Sequence, residues 1–244
     1  MKKSISKLLF TLSALAVLFF VMSGYGYQWG IWGLGTAFTV LRYSAYTAIG
    51  LLLAMTIMLF VAKGEGGKVM TRLVLGILLT GAVSATAWYW QNKAQSVPPI
   101  HDITTDLQQP PEFVAMVRLR ADAPNPPEYA GEETAERQRE AYPNLAPLLL
   151  EADLQDVMDA AIFLVADRGW QLAAINRSDG RIEATEKLAW FGFKDDVVLR
   201  FTETEAGETR VDMRSKSRIG RSDIGVNADR IRSFLADLEK EFRT

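Results

Sequence analysis

Three stretches of almost unbroken apolar residues fill the first hundred positions, at about 8–25, 43–62 and 69–90. Each approaches the roughly 20 residues that a helix needs to cross a hydrocarbon layer ~30 Å thick. The first is interrupted early only by Thr11 and Ser13, and Arg72 lies close enough to the start of the third to snorkel to headgroups. From residue 145 the period changes. Residues 146–150 read as a strand. Asp153 then caps a helix whose apolar positions Leu154, Val157, Met158, Ala161, Leu164 and Val165 follow helical spacing, with Gly169 as its stop. Strands follow at 170–175, 181–190, 196–201 and 209–219, and Arg177-Ser178-Asp179-Gly180 and Glu205-Ala206-Gly207-Glu208 supply turns. A last helix opens near Ser222 or Asn227 and places Ile231, Phe234, Leu235, Leu238 and Phe242 on one face. The order βαββββα predicts an α+β fold, an antiparallel sheet covered on one side by two helices.

Between these halves, residues 97–143 hold prolines 98, 99, 110, 111, 124, 126, 127 and 143 and little periodicity. Pro-Pro pairs favour extended backbone. Residues 113–119 alternate loosely as one short strand, and 132–140 read as a short polar helix. The expected division is a membrane anchor over 1–96, a Pro-rich strip over 97–143 that packs on the domain, and a soluble domain over 144–244.

Charge sharpens that division. Residues 1–96 hold eight Lys/Arg and one acid, and 97–244 hold nineteen and twenty-eight, so the net charge of −2 describes neither half. Lys2, Lys3, Lys7, Lys63, Lys68 and Arg72 flank the spans on one side, against Arg42 and Lys93 on the other. The positive-inside rule then expects a cytoplasmic N-terminus and an exterior, periplasmic domain on an inner-membrane protein. Tyr25, Tyr27, Trp29, Trp32, Tyr43, Tyr46, Trp88, Tyr89 and Trp90 cluster at the exterior end, as interface-seeking rings do. No A-x-A-like cleavage site follows the first span, so it reads as an uncleaved anchor. Glycines 24, 26, 30, 33 and 35 suggest an irregular connection before the second span. Gly76, Thr80 and Ser84 form a small-residue face suited to close helix approach, the expected contact for a membrane-protein partner.

The strand around 210–218 carries the main candidate chemistry. Alternation sends Val211, Met213, Ser215, Ser217 and Ile219 one way and Arg210, Asp212, Arg214, Lys216 and Arg218 the other, with Arg221 following. A basic row in an acidic domain suits an anionic ligand or lipid headgroup. It also suits a solvated sheet face whose arginines pair with Glu183 or Glu186. The single histidine sits in Ile100-His101-Asp102-Ile103-Thr104-Thr105-Asp106, where His101 and Asp102 offer acid–base chemistry without a metal-ligand spacing. Asp195 and Asp196 are neighbours on a strand and point apart. Trp190, Phe191 and Phe193 suit packing better than a ligand cage. No cysteine is present, which removes thiol catalysis and Cys-ligated metals, and no nucleotide-binding or hydrolase motif occurs. No cofactor or metal is expected, and the acidity of residues 97–244 argues against nucleic acid.

Several blocks in order resemble the bacterial family named domain of unknown function 1499. They are residues 100–106 with Pro110-Pro111-Glu112-Phe113, Tyr142-Pro143-Asn144, Gly180-Arg181-Ile182-Glu183-Ala184-Thr185, residues 191–200, residues 211–218 and Asp223-Ile224-Gly225-Val226-Asn227-Ala228. The three helices are similar to its membrane-anchored subgroup. The resemblance implies that the Pro-rich strip belongs with the sheet, and that His101, Asp102, Lys194, Asp195, Arg214, Lys216 and Arg218 sit in motif blocks. It transfers no catalytic residue. The expected function is a non-enzymatic envelope protein whose exterior domain binds an anionic partner near the membrane, the candidate residues being Arg210, Arg214, Lys216, Arg218, Arg221, Lys194, His101 and Asp102. The alternatives are a hydrolase-like enzyme joining His101 and Asp102 to the basic strand, and an assembly subunit.

Overall fold

The computed structural model describes residues 1–243. Three long helices come first, α1 (Lys2–Gln28), α2 (Leu34–Val61) and α3 (Gly67–Ser96). Then follow β1 (Asp102–Thr104), α4 (Met116–Leu119), α5 (Glu132–Ala141), β2 (Leu148–Leu150), α6 (Leu154–Asp167), β3 (Gln171–Asn176), β4 (Arg181–Lys187), β5 (Lys194–Glu203), β6 (Thr209–Ser217) and α7 (Val226–Glu241). The chain divides into two compact units. One holds Met1–Asn92 with Ala189–Gly192, and the other holds Lys93–Leu188 with Phe193–Thr244.

In the first unit, α1, α2 and α3 are each long and apolar enough to cross a membrane. Their seam is made of small and sulfur-bearing side chains. Gly76 lies against Met55, Ser13 donates to the Leu9 carbonyl, and Thr80 donates to the Gly76 carbonyl at 2.7 Å. Ser84 likewise bonds its own helix at the Thr80 carbonyl. Gly76 and Thr80 are buried, and Gly76 admits Met55 of α2 as a small-residue face suited to close helix approach does. The connection before α2 is also shorter than the glycines suggest, because Gly24 and Gly26 remain helical. A side chain at Gly24 would meet the Trp190 ring, and one at Gly26 would meet Trp32. These two glycines make room for aromatic rings.

The second unit is an antiparallel sheet in the order β1-β6-β5-β4-β3, with β2 pairing the first part of β6 and β1 its last part. Helices α6 and α7 cover one face, as the α+β pattern requires. Their apolar stripes meet Ile182, Val197, Leu199, Val211 and Met213, and Trp170 stacks on Phe234 at 5.4 Å. Asp153 caps α6 by accepting from the Gln155 amide at 2.8 Å. The outer edge of β1 is closed by Gln138 of α5, whose amide group accepts from Thr104 N and donates to Thr104 O. Residues 113–119 are not the short strand their alternation suggests, since they contain the helical turn α4. The reason is tertiary. The buried Glu183 carboxylate accepts the amides of Val114, Ala115 and Met116 at 2.9–3.1 Å, an anion placed on the N-terminal N–H groups of that turn.

Gly180 and Gly207 both hold positive φ, +56° and +80°, but only at Gly180 would a Cβ run into backbone, at the Phe201 carbonyl. Gly207→Ala is expected to cost about 1–2 kcal/mol, the left-handed penalty alone, and Gly180→Ala more than that. Unfolding midpoints of the two variants check this, and equal losses would contradict it.

Candidate functional site

The cationic side of β6 is not a surface. Its pairing with β5 sets Lys216 opposite Asp196, Arg214 opposite Val198 and Arg210 opposite Thr202. Over these lies the strip from Asp106 to Glu128, and Arg214 and Lys216 are each 1% exposed. Arg214 grips Asp102 with two bonds, at 2.8 and 2.9 Å, and Lys216 reaches the same carboxylate at 3.1 Å. One register step away, Arg218 takes both oxygens of Asp196 at 2.8 Å, and Arg120, from the strip, adds a bond of 2.7 Å. The layer thus sets four cations against two carboxylates.

Most of the remaining donors are met by backbone, Arg218 also reaches the Thr185 hydroxyl, and Arg120 Nε has no partner among the described residues. Arg214 donates to the carbonyls of Pro111 and Pro127, Lys216 to Glu128, and Arg218 to Leu119. Arg120 donates to Asn125, Lys216 and Ser217. A segment outside regular structure keeps its carbonyls available, and proline contributes an acceptor with no competing N–H. Arg214 also lies 4.8 Å from the Phe113 ring centre. Burial, with Arg214 and Arg120 nearby, holds the Lys216 ammonium below its ordinary value against the pull of Asp102.

Arg210 belongs to a square with Arg200, Asp106 and the buried Asp212, with bonds of 2.9 and 3.0 Å, in which the two arginines are partly exposed. Its bonds to Asp212 raise its pKa. Asp195 and Asp196 do point apart. Asp195 turns to the helix face and meets Arg230 at 2.6 Å, beside the Ser215–Asn227 bond of 2.7 Å. Glu186 pairs with Arg230, and Glu183 with Arg181 at 3.2 Å. The β6 cations therefore use Asp102, Asp196, Asp106 and Asp212, not the Glu183 or Glu186 that alternation nominated.

His101 and Asp102 do not form a pair. Asp102 is saturated by Arg214, Lys216 and the Ala130 amide at 3.0 Å. Half-buried His101 has Nδ1 3.4 Å from the Arg221 carbonyl instead. A hollow of about 220 Å³ opens there, lined by Pro99, Ile100, His101, Glu133, Thr134, Arg137 and Arg221. Burial lowers the His101 pKa, so its ring is neutral at pH 7. Of the eight candidates, only His101 and Arg221 meet at this hollow. Asp102, Arg214, Lys216 and Arg218 are consumed by the ionic layer, Arg210 by its square, and Lys194 is exposed at the start of β5. Sequence reasoning missed Arg120, Asp196 and Arg137. Arg120 sits in the strip beside Arg118 with no pattern to tell the two apart, and Asp196 was visible only as half of an unsuitable carboxylate pair.

A family model described as "Protein of unknown function (DUF1499)" matches residues 102–238. No curated protein matches the chain.

Asp102→Ala would strand Arg214 and Lys216, and a loss of about 3–5 kcal/mol is expected. Arg210→Ala removes a partly exposed cation and leaves both carboxylates paired with Arg200, so it should cost about 1 kcal/mol or less. Thermal unfolding of the detergent-solubilised protein separates the two, and similar losses would contradict the ionic layer.

Burial raises Tyr129 and Tyr142 from 10.0 to about 12, with Asp102 and Asp223 adding to it respectively. Their folded values exceed the unfolded ones, so this contribution is present in full below pH ~10 and is lost as pH rises through ~12. Tyrosinate absorbance should show a step near pH 12 that Tyr129→Phe and Tyr142→Phe each diminish. Neither hydroxyl has a partner among the described residues, so Phe at either position should leave neutral-pH stability unchanged or raised.

Proposed function

The chain belongs to the DUF1499 family, and from that premise we propose that it is a multi-pass inner-membrane protein whose periplasmic domain binds a small anionic group without catalysing a reaction. The observation that carries the reading is the hollow where His101 and Arg221, far apart in sequence, converge with Arg137. Arg221 is exposed, and among the described residues Arg137 is engaged only by an exposed i,i+4 pair with Glu133. Two guanidiniums beside a neutral imidazole offer the fork-shaped donors that phosphate and carboxylate oxygens accept. A pair as exposed as Arg137–Glu133 gives way at little cost. The strand row first nominated for this role is committed elsewhere, so the anionic partner is assigned to the hollow.

The orientation rests on six flanking cations on one side of the spans against two on the other, and on aromatic rings gathered at the opposite end. The cysteine-free sequence makes the test clean. An impermeant maleimide applied to cells with a permeabilised outer membrane should label Glu136→Cys at once and Glu65→Cys only after lysis. The reverse order would overturn the topology.

Because His101 is the only histidine, its ring resonance is a single reporter of the hollow. Titrating inorganic phosphate into the intact protein in micelles should shift it saturably. Arg221→Ala should weaken that response by about tenfold, the loss of one charge-assisted contact. A shift that chloride reproduces, or that ignores Arg221, would contradict anion binding there.

A further inference from the structure

The small turn α4 carries apolar side chains on both its buried and its exposed side. Phe113, Met116 and Arg120 point inward, where Arg120 enters the ionic layer and the Thr185 hydroxyl lies 3.7 Å from the Met116 sulfur. Outward it presents Val114, Val117 and Leu119, which are 52%, 46% and 56% exposed, with Arg118 among them. An aliphatic face on a single helical turn does not hold its place by its own propensity. Here it is clamped at both ends. Glu183 takes the amides of Val114, Ala115 and Met116, and Arg218 takes the Leu119 carbonyl.

The same end of the sheet is cationic. Arg218 donates its backbone N–H to Lys194 O, and Lys194 stands directly opposite Lys187 across β4 and β5. Both lysines are exposed. The hairpin carrying them runs out through Leu188 and back through Phe193, and its tip, Ala189–Gly192, belongs to the helical unit. There Trp190 donates to the Val21 carbonyl at 2.8 Å and Phe191 stacks on Phe38. The acids Glu112 and Asp122, before and after the turn, are exposed as well.

We infer that the outer face of α4 is a bilayer-contact surface, in which Val114, Val117 and Leu119 enter the headgroup region while Arg118 and Lys194 engage anionic lipid phosphates. Shallow aliphatic insertion beside basic residues is the chemistry by which peripheral elements hold a membrane surface. Three helices long and apolar enough to cross a membrane tether the same chain to a bilayer. The buried charges gain a purpose from this: they form a rigid mount for an apolar turn that would not hold its shape alone. The inference does not depend on the hollow at His101 or on which side of the membrane the domain occupies.

The test uses the full chain, one copy per lipid nanodisc, with an environment-sensitive fluorophore on Val117→Cys, on Leu119→Cys, or on Glu136→Cys as the exposed control. Doxyl-labelled lipid should quench the first two and spare the third. Quenching should deepen when phosphatidylglycerol is added to phosphatidylcholine, and that gain should be lost with Arg118→Glu and Lys194→Glu together. Labels at 117 and 119 that stay as water-exposed as the control overturn the inference. So does a blue shift without lipid quenching, which would mean that protein covers the face. Insertion indifferent both to lipid charge and to the two reversals overturns the assignment to anionic headgroups.

Discussion

The ionic layer between β6 and the Pro-rich strip is the constraint on which the rest of the domain depends. Asp102 and Asp196 are each shared between two cations, all buried but the partly exposed Arg218, and four cations face two carboxylates. Removing such charges from water costs several kcal/mol per ion, so the layer is tolerable only if nearly all remaining donors find an oxygen, and among the described residues only Arg120 Nε in the layer does not. The strip supplies them, from Pro111, Leu119, Asn125, Pro127 and Glu128. Its irregularity is therefore a requirement. A strip folded into helix or sheet would have spent those carbonyls on its own amides.

From this layer the chemistry of the domain follows by subtraction. Arg214, Lys216 and Arg218 hold the fold together, and Asp102 is the counter-ion of the first two instead of the partner of His101. What remains accessible lies at two places. One is the hollow where Arg137 and Arg221 flank a neutral imidazole, and the other is the basic, aliphatic end of the sheet at α4. Both are fixed by contacts made elsewhere. Arg221 follows the end of β6, which β1 holds in register, and α4 hangs from Glu183 of β4.

Much of the fold was legible because local signals agreed with the final packing. Asp153, the helical spacing after it and Gly169 define α6, and the turn at residues 177–180 separates β3 from β4. The three apolar runs gave the three long helices. The misreadings share a cause. α4 is nucleated by a carboxylate 67–69 positions later in the chain, and β1 has three residues and no alternation to show. Alternation correctly separated the two sides of β6, but a period of two says nothing about what covers a face. The cross-strand rule therefore named glutamates on β4, while the true partners came from β1 and from the next position on β5. At the hollow, residue type marked His101 and Arg221, but only the fold brought Arg137 to them.

The central claim is that the strip is an integral, charge-fastened layer of the fold. Amide hydrogen exchange tests it most directly. The N–H groups of Val114, Ala115 and Met116, held by Glu183, and of Ala130, held by Asp102, should exchange only as slowly as the β5 and β6 amides, through opening of the sheet itself. Exchange of those four at the rate of an unstructured peptide, while β5 and β6 stay protected, would contradict it.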